Sequence, residues 1–205
     1  LSEGGVYAVA NIRGGGEYGP AWHQAALKEN RHKAYEDFAA VARHLAETGV
    51  SDASHLGIQG GSNGGLLTGN MLTLYPELFG AVVIQVPLLD MKRYSHLLAG
   101  ASWMAEYGDP DVPEEWDYIK TFSPYHLLDG SRTYPPVLLT TSTKDDRVHP
   151  GHARKMAALL AATGKDVTYY ENIEGGHGGA ANNAQSAHLS AFAWTFLRER
   201  LGLIE

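Results

Sequence analysis

Short apolar runs, rich in β-branched and aromatic residues, alternate along the chain with longer stretches in which apolar residues recur every three or four positions. The first pattern reads as buried strands and the second as amphipathic helices, and their alternation predicts βα units around a mostly parallel sheet. Strands are expected at residues 6–12, 55–59, 81–86, 136–141 and 167–172. A helix is expected over 35–48, where Phe38, Val41, Ala42 and Leu45 share one face and Gly49 supplies the stop. Another runs over 152–163 and stops at Gly164, and segments 62–75 and 185–201 complete the set. The fold class this predicts is α/β, with helices on both faces of the sheet.

One connection breaks the rhythm. Residues 92–134, between the third and fourth expected strands, are too many for a plain loop and carry Trp103, Tyr107, Trp116, Tyr118, Phe122 and Tyr125. A connection this long in a compact domain is usually functional or carries its own small elements. It is read as an insertion that helps wall a pocket.

Composition narrows the classes. With 205 residues, 44% hydrophobic and 19% charged, the chain has enough apolar mass for one globular domain. A net charge of −7 provides no field to gather phosphates, so nucleic acid is not expected as a partner. No run approaches the ~20 apolar residues that span a bilayer, so no membrane partner is expected either. The absence of Cys excludes disulfides, thiol catalysis and Cys-based zinc sites. The chain opens without Met and enters its first expected strand almost at once, as an excerpt of a longer chain would.

The candidate chemistry starts at GGSNG, residues 60–64, between an expected strand and an expected helix. This is G-x-S-x-G in the context the motif requires, where a strand reverses into a helix within one residue and pushes a serine Oγ into the open. Side chains two positions either side of Ser62 are expected to collide, so Gly60 and Gly64 are read as permitting a strained, exposed serine. The plainer reading is a glycine-rich helix start with Ser62 as its cap.

A serine hydroxyl needs a base to take its proton and an acid to orient that base. In this kind of fold the order is Ser, acid, His, each beyond the carboxyl end of a strand. After PVLLTT comes STKDDRVHP, offering Asp145 and Asp146, and after VTYYEN comes IEGGHGGA, offering His177 between glycine pairs. The other histidines are read as surface or packed residues, although His149 and His152 could be weighed as metal ligands; no carboxylate sits at ligand spacing, and no metal is expected. Gly14, Gly16 and Gly19 in NIRGGGEYG, with Asp37 further on, match a dinucleotide fingerprint literally. There, Pro20 follows in place of a close-packed helix, so no cofactor is expected.

With these residues in hand, the chain resembles the catalytic domain of the prolyl oligopeptidase family of serine peptidases, an α/β-hydrolase fold. The motifs NIRGGGEYG, GGSNGGLL, TKDDRVHP and GGHGGA carry the likeness over essentially the whole chain, and Asn63 after the serine is similar to the prolyl branch. The resemblance implies that Ser62 is the nucleophile, His177 the general base, and Asp145, in preference to Asp146, the acid. It implies that the Asn63 N–H donates to the oxyanion, that Arg147 holds a substrate carbonyl in place of a surface ion pair with Asp146, and that Trp103 stacks on the substrate proline, where it would otherwise be ordinary core. Tyr107, Val148 and Leu88 would line the same pocket, Leu88 standing where the family often has Val. The implied partner is a peptide substrate. The resemblance further implies that residues 1–205 are the later part of an eight-stranded sheet, with an upstream β-propeller and an upstream tyrosine as second oxyanion donor. An acylaminoacyl peptidase or esterase on the same machinery, and a non-catalytic binding module, are the rival expectations.

Overall fold

Four strands lie side by side in chain order, every neighbouring pair parallel, in the computed structural model, which describes residues 4–203. They are β1 (Gly57–Gly61), β2 (Ala81–Gln85), β3 (Val137–Ser142) and β4 (Val167–Asn172). The register sets Gly61 against Gln85, Gln85 against Thr140 and Thr140 against Tyr170, so all carboxyl ends finish along one edge. Helix α1 (His32–Glu47) precedes the sheet, α2 (Asn63–Leu74) links β1 to β2, α3 (Gly151–Ala162) links β3 to β4, and α4 (Asn183–Arg200) closes the chain.

Successive side chains of a strand point to opposite faces, and two cores follow from that alternation. Val82, Ile84, Val137 and Leu139 pack with Ala39 and Ala42 of α1, Leu66 and Met71 of α2, and Met156 and Leu160 of α3. Ala81, Val83 and Leu138 pack on the other side with Ala193, Phe196 and Leu197 of α4. Burial on both faces explains why β2 and β3 read as unbroken apolar runs.

Two expectations about strands change. The one at 55–59 begins later, at Gly57, because Asp52 caps a 3₁₀ turn over Ala53–His55 by accepting from the N–H groups of Ser54 and His55. The one at 6–12 is not a strand: no described segment pairs with it, and Val6, Tyr7 and Val9 stand 71%, 69% and 72% exposed. Its composition favours a strand, but a strand exists only through hydrogen bonds to a neighbour.

The insertion is built of short helices, including a 3₁₀ helix at Leu98–Trp103 and α-helical pieces at Met104–Tyr107, Pro113–Ile119 and Pro124–Leu127. Tyr94, Tyr107, Ile119 and Phe122 carry it into the main core. Its root is tied by Asp90, only 1% exposed, which accepts from Arg93 and Lys155. Beside it the buried His152 Nδ1 accepts from the N–H groups of Leu89 (3.3 Å) and Asp90 (3.0 Å).

Candidate active site

Ser62 is the hinge between β1 and α2. Its φ of 58° lies in the left-handed region that a side chain makes costly. Its N–H donates to Gln85 O at 2.9 Å while its carbonyl accepts from Leu66 N at 3.1 Å, so sheet and helix each hold one end. A Cβ on Gly60 would lie 2.2 Å from Gly64 O, which explains that glycine. For Gly64 the expectation was incorrect: a Cβ there meets nothing within 4 Å, because the crowding comes from Gly64's carbonyl and not from its Cα. The second tight glycine is Gly65, where a Cβ would lie 2.7 Å from Pro87 Cβ and 2.9 Å from Pro87 Cα.

Beyond β3, the Asp145 carboxylate is buried and its Oδ1 accepts from Arg147 N and Val148 N, both at 2.9 Å. Beyond β4, His177 brings Nδ1 to 2.8 Å from Asp145 Oδ2 and Nε2 to 3.0 Å from Ser62 Oγ. A carboxylate only accepts, so Nδ1 carries the proton, leaving Nε2 to accept from the serine hydroxyl. Asp146, the other acid of the pair, is exposed. The His177 loop is drawn tight by its glycines: Gly179 has φ 81°, and its carbonyl accepts from Ser142 Oγ (3.1 Å) and Asn172 Nδ2 (2.9 Å).

Asn63 is the first residue of α2, so its N–H has no intrahelical acceptor. Its side chain is held by two donors that sequence reasoning did not connect to it. Arg31 Nη2 donates to Asn63 Oδ1 at 2.6 Å, and the Tyr107 hydroxyl donates to the same oxygen at 2.8 Å. Arg31 also donates to Glu106 Oε1 at 2.5 Å and lies over the Tyr107 ring, 5.0 Å from its centroid. Burial pushes the Tyr107 hydroxyl well above the ordinary tyrosine range, keeping it a donor. No motif marks Arg31, a basic residue in a polar stretch.

Of the other expected pocket residues, Leu88, Tyr107 and Val148 are buried in the main core and Trp103 is half-buried against it. Arg147 is exposed, and its side chain makes no ion pair with Asp146. A separate cavity of about 280 Å³ lies on the α4 side of the strand ends, lined by Gly61, Gln85, Val86, Thr140, Gly179 and Leu189; none of those five residues borders it.

The weighed alternatives take other roles. Asp37 is clasped by Arg13 through Nε (2.8 Å) and Nη2 (2.6 Å), a pairing that holds its carboxyl below the ordinary range, and Pro20 begins a five-residue helix with nothing buried. His149 Nδ1 accepts from Gly151 N at 2.9 Å. Among the described residues no three His, Cys, Asp or Glu side chains group as metal ligands, and no helix is long and apolar enough to cross a membrane.

The prolyl oligopeptidase family model matches residues 1–203. A protein of Sinorhizobium fredii named as an uncharacterized peptidase is 54% identical over 201 residues, 98% of this chain and 28% of its own length. The solved post-proline cleaving enzyme of Rickettsia typhi matches 94% of this chain and 28% of that one, with TM-score 0.92 and 43% identity. Prolyl oligopeptidase B of Galerina marginata, solved as a serine-to-alanine variant bound to a 35mer hydrolysis and macrocyclization substrate, matches 93% and 27%, with TM-score 0.88 and 31% identity. The four parallel strands and their helices are thus part of an α/β-hydrolase fold, and the chain spans about 28% of the length of such relatives.

Proposed function

Because the chain belongs to the prolyl oligopeptidase family, we propose that it is the catalytic part of a serine peptidase that hydrolyses peptide bonds on the carboxyl side of proline in short peptides. Ser62 Oγ forms a bond to the scissile carbonyl carbon as His177 Nε2 takes its proton. Asp145 keeps the imidazole in the tautomer that can accept and stabilises the imidazolium. The Asn63 N–H donates to the oxyanion, charge that exists only in the transition state and intermediate. The C–N bond then breaks, His177 returns the proton to the departing amine, and water repeats the sequence on the acyl-enzyme. The scheme calls for no metal or organic cofactor.

Trp103 offers an indole face to a flat, apolar proline ring, with Tyr107, Val148 and Leu88 around it, and Arg147 holds a peptide carbonyl. An upstream β-propeller restricts entry, and an upstream tyrosine supplies the second oxyanion donor.

The observation that carries this reading is the chain of contacts from Ser62 Oγ through His177 to Asp145, at 3.0 and 2.8 Å. The test is steady-state kinetics of the full-length protein on a peptidyl-proline anilide, an arginine anilide and a short acyl ester. The proline substrate should give the highest kcat/KM, and Ser62→Ala should lower kcat by about 10⁶-fold. Preference for either of the other substrates would replace post-proline cleavage by another hydrolase specificity. Failure of a fluorophosphonate to label Ser62 would leave a binding module.

A further inference from the structure

Arg31 is only 5% exposed, yet one of its guanidinium nitrogens is spent on the amide oxygen of an exposed residue, Asn63, directly after the serine. A guanidinium has only donors to offer, so its contact fixes which end of the amide faces it. With the oxygen fixed by Arg31, the Tyr107 hydroxyl from the insertion donates to it as well. Oδ1 is thereby saturated on the protein side. Nδ2, at the other end of a planar amide, makes no hydrogen bond to any described residue and is carried on a side chain open to solvent beside Ser62.

The clamp is assembled from three separate segments. Arg31 precedes α1, Asn63 opens α2 and Tyr107 comes from the insertion. Glu106 balances the buried charge at 2.5 Å and is itself met by His23 Nε2 at 2.8 Å. A free surface asparagine would sample several rotamers, and each would have to be given up when a ligand bound. Two donors on one oxygen remove that freedom beforehand. They leave a two-proton donor at a set position, separate from the backbone N–H of the same residue.

We propose that the Asn63 side-chain amide is a substrate-positioning group, its Nδ2–H₂ donating to a non-reacting backbone carbonyl of the bound peptide, with Arg31 and Tyr107 as the positioning residues that orient it. This rests on the peptidase reading above. The carbonyl it holds keeps its geometry through the reaction, so the contact is made equally in the ground and transition states, and uniform binding of that kind acts on KM and spares kcat.

The test uses the full-length protein with two probes, a peptidyl-proline anilide and a small alkyl fluorophosphonate that reacts with the serine and has no peptide carbonyl. Labelling of the wild type together with its turnover of the anilide establishes the premise independently; loss of either would remove the peptidase reading and this one with it. Given labelling, Asn63→Ala, which keeps the backbone N–H, should raise KM for the anilide about tenfold, well beyond its effect on kcat or on the labelling rate, the scale of one neutral hydrogen bond. Arg31→Met should have a similar effect alone and almost none in the Asn63→Ala background, the mark of residues acting through one another. If Arg31→Met does not fold, Tyr107→Phe removes one hydroxyl only and should show the same dependence on Asn63 with a smaller effect. Unchanged KM in Asn63→Ala would overturn the proposal. So would equal losses from Arg31→Met, or from Tyr107→Phe, in both backgrounds, or a parallel fall in labelling, since those are the signs of a structural role.

Discussion

At Ser62 a φ of 58° stores strain of about 1–3 kcal/mol, and the glycines around it show where that strain can be tolerated. Gly60 must stay bare, because any Cβ would enter the carbonyl of Gly64. Gly60→Ala is therefore expected to cost at least about 2 kcal/mol, by displacement of the strand from the helix it feeds. Gly64→Ala faces open space at a helical position and should be neutral or stabilising by up to about 1 kcal/mol. Urea unfolding of the two variants in the full-length protein checks both, and equal costs would mean that the turn and not the contact decides. That Ser62, Asp145 and His177 meet was legible because the chemistry proposed for them demands fixed residue types in a fixed order beyond strand ends. The choice between Asp145 and Asp146 came from resemblance, since adjacent identical residues differ only in where the backbone turns them. Arg31 was illegible because its partner Asn63 is 32 positions away and nothing local distinguishes a clamping arginine from a solvated one.

Elements are held in place here by buried polar contacts as well as by apolar packing, and this makes their attachment sensitive to acid. The loop leaving β2 is fastened to α3 by His152, whose Nδ1 can accept from Leu89 N and Asp90 N only while it is unprotonated. Burial pushes its pKa down to about 4 from the ordinary 6.5, more than offsetting the pull of Asp90, with His149 and Lys155 pushing the same way as burial. The unfolded chain, with the higher pKa, binds the proton first. This contribution to stability is therefore complete above about pH 6.5 and is lost as the pH falls towards 4, amounting to about 3 kcal/mol over that interval. His152→Asn keeps an acceptor without a group that titrates there, so its unfolding free energy should fall less than the wild type's between about pH 7 and pH 4.5. Identical slopes would assign the acid sensitivity elsewhere. The four long helices and four of the strands were legible to within about three residues from periodicity and glycine stops. This fastening was not, since a histidine that accepts two backbone protons has the same sequence signature as one on the surface.

Over the whole molecule, the segment at 6–12 sets the relation between this chain and a longer one. Its pattern is that of a strand, yet Val6, Tyr7 and Val9 are each about two-thirds exposed or more and its backbone pairs with nothing described. Three such side chains left in water forgo several kcal/mol of burial, and unpaired backbone beside them invites association with other chains. If residues 1–205 are the catalytic part of a longer protein, as proposed, strands contributed from elsewhere would cover this segment and convert it into the strand its composition favours. Two measurements then belong together. In the full-length protein, amides of residues 6–12 should exchange with deuterium as slowly as those of β2, whereas in the 205-residue segment alone they should exchange at nearly the rate of an open chain. The same segment should also turn over a proline anilide about 10²–10³-fold more slowly than the full-length protein, the usual loss when one of two oxyanion donors is removed. Fast exchange at 6–12 in the full-length protein would mean that the segment is not a strand in any context, and full activity of the segment alone would mean that the oxyanion is held by its own residues.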